Sequence, residues 1–346
     1  MTKRFAADVL NIDAAAETER LSRRIRQQIA IDLKRKGAVL GLSGGIDSSV
    51  AAALCVRAVG PDRVLGLLMP ELDSSADSQL LGQLLADRFG IQTIVEDITS
   101  TLEATGCYRR RDEAIRQVIP EYTAKHRCKI VLSPSTDEGA FAVFFAIAES
   151  PTGELKKARL TPTAYRGVVA ATNFKQRVRA MMTYYHADRL QYASIGTPNR
   201  LEYDQGFFVK NGDGAADLKP LAHLYKSQVY QLADYLGIPE EIRKRPSTTD
   251  TYSMEQSQEE FFFSIPLAEL DLCLYGKNHG VPAEDIAAAI GRTPAEVAGV
   301  LRSIDSKRAA TRYLHAQPLL CDSDPLIDSE NPPWLVRAAE CGVRQI

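Results

Sequence analysis

The stretch Ala38-Val39-Leu40-Gly41-Leu42-Ser43-Gly44-Gly45-Ile46-Asp47-Ser48-Ser49-Val50 decides how the rest of the chain is read. Ala38 to Leu42 is an apolar run of strand length that breaks into a Ser-Gly-Gly turn, and Asp47, Ser48 and Ser49 then open an Ala-rich helix. Two adjacent glycines let the backbone bend sharply and approach a ligand without Cβ interference. N–H groups at a helix start, helped by the helix dipole, favour a phosphate or pyrophosphate. Asp47 is an acceptor placed where a Mg²⁺ bridging those phosphates would sit. The lysine of a Walker loop is missing, so this is a different phosphate loop.

Outward from the loop, residues 14–35 carry Leu21, Ile25, Ile29 and Leu33 at four-residue spacing, which predicts an amphipathic helix in front of the first strand. Its apolar stripe suits a twin subunit as well as the chain's own sheet. Strand-like segments recur at 63–68, 92–95, 129–132 and 191–195, separated by helical patterns such as 78–89 and 174–186. This alternation predicts an α/β fold, a doubly wound parallel sheet with its ligand site beyond the carboxyl ends of the strands. Residues 141–165 break the pattern and read as a hairpin with its turn at Pro151 to Gly153, expected to be a flap within an insertion spanning about 107–170. A helix over 227–236 stops at Gly237 with Pro239 beyond it. Residues 1–280 thus form the main unit, followed by a small helical region over 281–314 and an extended tail from Gln317 with Pro318, Pro325, Pro332 and Pro333.

Composition narrows the function classes. At 346 residues, 45% hydrophobic and 25% charged, the chain has the balance of an ordinary soluble enzyme. A net charge of −2 gives no electrostatic reason to expect nucleic acid or an anionic membrane. The basic runs Arg109-Arg110-Arg111 and Arg243-Lys244-Arg245 read as solvated faces. No apolar run approaches a membrane span, the start has no secretory h-region, and a cytoplasmic protein is expected. The six cysteines, Cys55, Cys107, Cys128, Cys273, Cys321 and Cys341, form no C-x-x-C pair and read as reduced thiols.

A second constellation lies at 196–226, Gly-Thr-Pro-Asn-Arg-Leu-Glu-Tyr-Asp-Gln-Gly-Phe-Phe-Val-Lys-Asn-Gly-Asp-Gly-Ala-Ala-Asp-Leu-Lys-Pro-Leu-Ala-His-Leu-Tyr-Lys. It follows a strand, is dense in glycine and charge, and lacks periodicity, which marks an active-site loop. The Ser43–Ser48 loop resembles that of the ATP pyrophosphatases, and together with 196–226 it closely resembles the ammonia-dependent NAD synthetases. Asn173-Phe-Lys-Gln-Arg177-Val-Arg179 and Arg245-Pro-Ser-Thr-Thr-Asp250 are similar to further motifs of that family.

The resemblance implies a Rossmann-like fold of the adenine nucleotide α-hydrolase type and an AMP-forming amide ligase. It implies that Gly41, Ser43, Gly44, Gly45, Asp47 and Ser48 cradle the phosphates of ATP, with Thr197, Lys226, Ser247 and Thr248 also on ATP. Asp47 and Glu202 would hold Mg²⁺. Arg177, Arg179, Lys210 and Asp217, with Ser306 and Lys307, would contact the carboxylate substrate. Mg²⁺ and Lys226 would stabilise charge at the α-phosphate, pyrophosphate would leave, and ammonia would attack the acyl-adenylate. Asp213 or Asp217 would accept the proton of ammonium. With no cysteine before Cys55, the nitrogen is expected from free ammonia or from a separate donor protein. The implied assembly is a homodimer.

The pattern departs from the family in places. Ser306-Lys307-Arg308 stands where His-Lys-Arg is usual, and Thr251 to Ser264 replaces an acidic stretch followed by Leu-Gly and Tyr-x-x-Ile-Asp. Tyr252 or Gln256 is therefore expected at the acceptor, with the 141–165 hairpin closing over it. The principal reading is amidation of nicotinate adenine dinucleotide to NAD, and the alternative is the same ligase chemistry on another carboxylic acid. A sulfurtransferase would call for paired cysteines and a basic RNA-binding module. A non-catalytic nucleotide binder has no need of two metal carboxylates.

Overall fold

The computed structural model describes residues 5–133, 143–248, 251–263 and 265–319. Phe141, Asp250, Ser264 and the tail with Pro325, Pro332 and Pro333 lie outside the described residues. Four strands form a parallel sheet in the order β3-β2-β1-β7, with β1 Ala38–Gly41, β2 Val64–Leu68, β3 Gln92–Val95 and β7 Ala193–Ser194. Val39 pairs with Leu65 on one side and Ser194 on the other, and Leu65 pairs with Gln92. Because β1 is flanked by β2 and by the distant β7, the chain reverses its winding there, and the loops leaving β1 and β7 flank the resulting crevice.

Both faces are covered, as the near-continuous apolar runs of β1 and β2 require. On one face, α1 (Ala14–Gln27), α2 (Ile46–Val59), α3 (Ala76–Phe89) and α8 (Lys226–Tyr235) share a core that includes Ile25, Leu40, Leu54, Leu85 and Leu232. On the other, Ala187 of α6 (Pro162–Leu190) packs on Val39, Leu65 and Leu67. Asp13 caps α1 by accepting Ala16 N–H at 3.0 Å, and Leu21, Ile25 and Ile29 are buried in the shared core. That stripe packs on α2 and α8 of the same chain, so it is not a surface for a twin subunit.

The segment at 129–132, expected in the parallel sheet, belongs elsewhere. Strands β4 (Arg127–Ser133), β5 (Val143–Glu149) and β6 (Leu155–Arg159) form a separate antiparallel sheet, reached through α4 (Thr99–Ala104) and α5 (Cys107–Arg116). The expected turn is present, with Gly153 at φ +84° and Ser150 N–H donating to Glu154 O at 2.9 Å. Cys128, Ile130, Ala146 and Ala148 point to one side and pack on Ala114 and Ile115 of α5 and on Ala164 and Val168 of α6. The hairpin thus has a buried face of its own, packed on α5 and α6.

Beyond β7 come α7 (Arg200–Gln205), α8, α9 (Glu240–Lys244) and then α10 (Leu267–Asn278), α11 (Ala283–Ile290) and α12 (Pro294–His315). Ile286, Val297 and Ile304 of the last two helices bury with Leu201, Tyr225, Phe263 and Leu274. The C-terminal helices are thereby fastened beside α7, at the edge of the crevice.

Candidate active site

The loop after β1 turns at Gly44, whose φ of +68° lies in the left-handed region. A Cβ there would also stand 2.8 Å from both Leu81 Cβ and Ser78 O, so two constraints select glycine. Gly45 is the N-cap of α2, and Ser48 and Ser49 hydroxyls donate to its carbonyl at 3.0 and 2.8 Å. Ser43 Oγ accepts Gly45 N–H at 3.3 Å and lies 3.1 Å from Ser48 Oγ. The serines hold the turn, and the first N–H groups of α2 have no acceptor within the helix, the arrangement that binds phosphate.

Asp47, in the first turn of α2, meets residues from two other segments. Lys226 Nζ, almost fully buried, donates to Asp47 Oδ2 at 2.5 Å, and Asn199 Nδ2 donates to Asp47 Oδ1 at 3.1 Å. Asn199 also caps α7, its side chain accepting Glu202 N–H while its own N–H donates to Glu202 Oε2, both at 3.2 Å. Glu202 Oε1 accepts from Gln258 Nε2 at 2.9 Å. Burial, and then the charge of Asp47, raise the pKa of Glu202 well above the usual carboxylate range. Burial opposes the charge of Lys226, but Asp47 and Glu202 outweigh it and hold its pKa above the ordinary lysine value. Two convergent carboxylates are the donor set of a hard divalent cation that takes its remaining ligands from phosphate and water. Among the described residues no cluster of three His, Cys, Asp or Glu forms a fuller set.

These groups border a cavity of about 890 Å³ at the carboxyl ends of the strands. Gly41, Ser43, Gly45, Asp47, Ser48, Thr197, Glu202, Lys226, Ser247 and Thr248 line it, as do Arg177, Arg179, Lys210 and Asp213. Arg177 Nε donates to Lys210 O at 3.4 Å. Lys210 Nζ donates to Tyr313 O and Ala316 O, at 2.8 and 3.0 Å, and so ties the end of α12 to the loop. Asp213 Oδ1 accepts Val209 N–H at 2.7 Å.

Other expected residues do not join the lining. Gly44 shapes the turn from behind. Asp217 accepts Ser194 N–H at 2.8 Å and the Tyr184 hydroxyl at 3.4 Å, which makes it an anchor of the loop on β7 and leaves it outside the cavity. Ser306 is exposed on α12, and Lys307 places its ammonium over the rings of Phe262 and Phe263, 4.8 and 5.5 Å from their centroids. Burial lowers the Lys307 pKa to about 8. The part of α12 that reaches the cavity is one turn further on, Ala310, Thr311, Tyr313 and Leu314. Tyr252 touches the cavity from within the lobe's core, whereas Gln256 is buried and donates to Ile130 O.

The sequence reading gave no role to some residues at or near the cavity. Arg245 is no solvated charge: Nη1 donates to Ser43 O at 3.3 Å and Nη2 to Ser78 Oγ at 2.9 Å, at the cavity wall. Its position at the head of the Arg-Pro-Ser-Thr motif was the available signal. Arg111, in the other basic run, is buried and paired with Asp73 and with Asp112. Asn199 and Gln258, which orient the two carboxylates, carry no local mark beyond the capping spacing of Asn199 to Glu202.

A parallel sheet with flanking helices, a Ser-Gly-Gly loop opening α2 and a second carboxylate at the switch point define the Rossmann-like class of the ATP pyrophosphatases. The NAD synthase family model matches residues 17–139 and 148–313. The chain belongs to the NAD synthase family and is a ligase of that family. It is 55% identical over 312 residues to the NH(3)-dependent NAD(+) synthetase of Mesorhizobium japonicum, covering 90% of this chain and 98% of that protein. It is 34% identical to the protein of the same description from Coprothermobacter proteolyticus, covering 79% and 88%. Among solved structures, NMN synthetase from Francisella tularensis superposes with a TM-score of 0.62 at 21% identity, over 90% of this chain and all of that one. NH3-dependent NAD synthetase from Campylobacter jejuni does so at 0.59 and 22%, with the same coverage.

Proposed function

We propose that this enzyme amidates nicotinate adenine dinucleotide to NAD, using ATP and ammonia and releasing AMP and pyrophosphate. The observation that carries this reading is the meeting of Asp47, Glu202 and Lys226 beneath the Ser43–Ser48 loop. Asp47 and Glu202 would hold Mg²⁺, which when bound neutralises phosphate charge. The loop and the start of α2 bind the phosphates, with Thr197, Ser247 and Thr248 alongside and Arg245 bracing the turn. A carboxylate oxygen of the substrate attacks the α-phosphorus, the bond to the β-phosphate breaks, and pyrophosphate departs. Lys226 stabilises the charge that builds there. Ammonia then forms a bond to the acyl carbon and AMP leaves. Asp213, a carboxylate on the cavity wall, accepts the proton that ammonium must lose. Arg177, Arg179 and Lys210 supply positive charge for the acceptor side.

Residues 1–280 carry this chemistry, and the helices after 281 bring the end of α12 to the cavity. A cytoplasmic site of action is supported by the buried free thiols of Cys55, Cys107, Cys128 and Cys273. No described helix is long and apolar enough to cross a membrane. A homodimer is supported by Val95 on the edge strand β3 and by Met181 and Tyr185 on α6, each more than half exposed.

The test is release of pyrophosphate and formation of amide from ATP, Mg²⁺ and ammonium across a panel of carboxylates that includes nicotinate adenine dinucleotide. Turnover of that dinucleotide above the rest of the panel supports the reading. Preference for another acid transfers the same chemistry to that acid. The nitrogen source is tested by running the assay with ammonium alone, where full turnover dispenses with a donor protein.

A further inference from the structure

Residues 251–263, where the sequence departs from the family pattern, run along the antiparallel lobe and not as a free loop. Cys128 N–H donates to Ser253 Oγ at 2.9 Å, and Met254 N–H donates to Cys128 O at 3.2 Å. Gln256 Nε2 donates to Ile130 O within the protein, and Lys129 Nζ bridges Glu255 O at 3.3 Å and the Glu260 carboxylate at 2.8 Å. Upstream, the fully buried Lys175 donates to Thr251 O at 2.7 Å while paired with Glu71 and Asp73. The segment is thus pinned to β4 between two stretches that line the cavity, Thr251 and Tyr252 before it and Gln258 after it.

Just beyond these contacts stands Gln258. The residue is 8% exposed, its N–H donates to Ser247 O at 3.0 Å, and its side-chain amide donates to Glu202 Oε1 at 2.9 Å. The other Glu202 oxygen is held by the backbone N–H of Asn199, so each oxygen has a donor of its own, Gln258 from the cavity wall and Asn199 from behind it. An amide is suited to this task. It donates to the carboxylate without a positive charge that would repel a cation, and it keeps the second lone pair of that oxygen available. Partners of this kind around ligating carboxylates fix orientation and strongly affect metal affinity.

We infer that Gln258 is a positioning residue for Glu202, and that the antiparallel lobe serves the reaction by seating residues 251–263 so that this amide reaches the carboxylate. The inference rests on the proposed role of Glu202 toward Mg²⁺. It gives the lobe a function other than covering the site.

The experiment measures binding of Mn²⁺, as the probe for Mg²⁺, to the full-length protein with α,β-methylene ATP, by electron paramagnetic resonance of free Mn²⁺. Gln258→Met keeps the shape of the side chain and removes the donor. Gln258→Asn keeps the donor and withdraws it by one methylene. Each is expected to raise the Kd for Mn²⁺ by about 10- to 100-fold, with nucleotide affinity measured without metal changed less than three-fold. A variant that only loses thermal stability while its Mn²⁺ Kd stays within two-fold of wild type overturns the inference. Should one variant fail to fold, the other carries the comparison. Wild-type Mn²⁺ binding that Glu202→Gln leaves unaltered removes the metal assignment and overturns the inference with it. Wild-type protein that binds Mn²⁺ through Glu202 and Gln258 yet makes no NAD strikes the proposed substrate and leaves Gln258 in its role.

Discussion

The carboxylate of Asp271 holds the backbone of Lys226. Its two oxygens accept Lys226 N–H at 3.1 Å and Ser227 N–H at 2.7 Å, so a residue of α10 caps the first turn of α8. Lys226 is the first residue of that helix, and its ammonium reaches Asp47. The lysine is therefore set at both ends, by the buried carboxylate of Asp271 at its backbone and by the partly buried Asp47 at its tip.

Burial raises the pKa of Asp271 from 3.8 to about 6, against the pull of the N–H groups of Ser227 and Lys226. A carboxyl whose folded pKa is raised binds its proton more tightly in the folded state. Its contribution to stability is full below the unfolded pKa and is lost as pH rises through the folded one, between about pH 4 and pH 6. Across this window the wild type is expected to lose up to roughly 3 kcal/mol relative to Asp271→Asn. Urea unfolding of both proteins from pH 4 to pH 7 checks this, and parallel curves would refute it.

Lys226→Ala is expected to lower kcat by about 10²- to 10³-fold, the scale for losing one preorganised donor to developing charge. A change confined to KM would assign the lysine to uniform binding instead. The variant also leaves Asp47 and Glu202 together without their cation, so its melting temperature should fall until Mg²⁺ and ATP are added.

Asp47→Asn keeps the size of the side chain and removes the charge that an adenylation metal would need. Formation of AMP should be abolished. AMP produced at a near wild-type rate would remove Asp47 from the mechanism.

Arg245 joins Ser43 O to Ser78 Oγ across the mouth of the phosphate loop. Arg245→Ala should raise KM for ATP about ten-fold, by roughly 1.4 kcal/mol of lost loop support and phosphate binding. Arg245→Lys should recover little, since a single ammonium cannot span both acceptors as the planar guanidinium does. Full recovery by lysine would reduce the role of Arg245 to charge alone.

Much of this protein was legible in its residues. The strand, glycine turn and helix around Ser43 are local, because apolar periodicity, a left-handed Gly44 and the opening of α2 all lie within a few bonds of one another. The same holds for the hairpin turn at Gly153. The dense run at 196–226 marked the second half of the site for the same reason. Pairing partners were not legible. The apolar segment at 129–132 suits a parallel or an antiparallel neighbour equally, and only the buried face it shares with α5 and α6 decided between them. The two basic runs look alike on paper, yet Arg111 and Arg245 are drawn inward while Arg109 pairs with Glu113 at the surface. The contacts that orient the site join residues 202, 45 and 56 positions apart, Arg245 with Ser43, Asp271 with Lys226 and Gln258 with Glu202. Local preference is set by sterics and hydrogen bonding among neighbours, which the order of residues states directly. Which distant polar groups share one enclosed site depends on how the layers close, because each buried donor and acceptor must find its partner there.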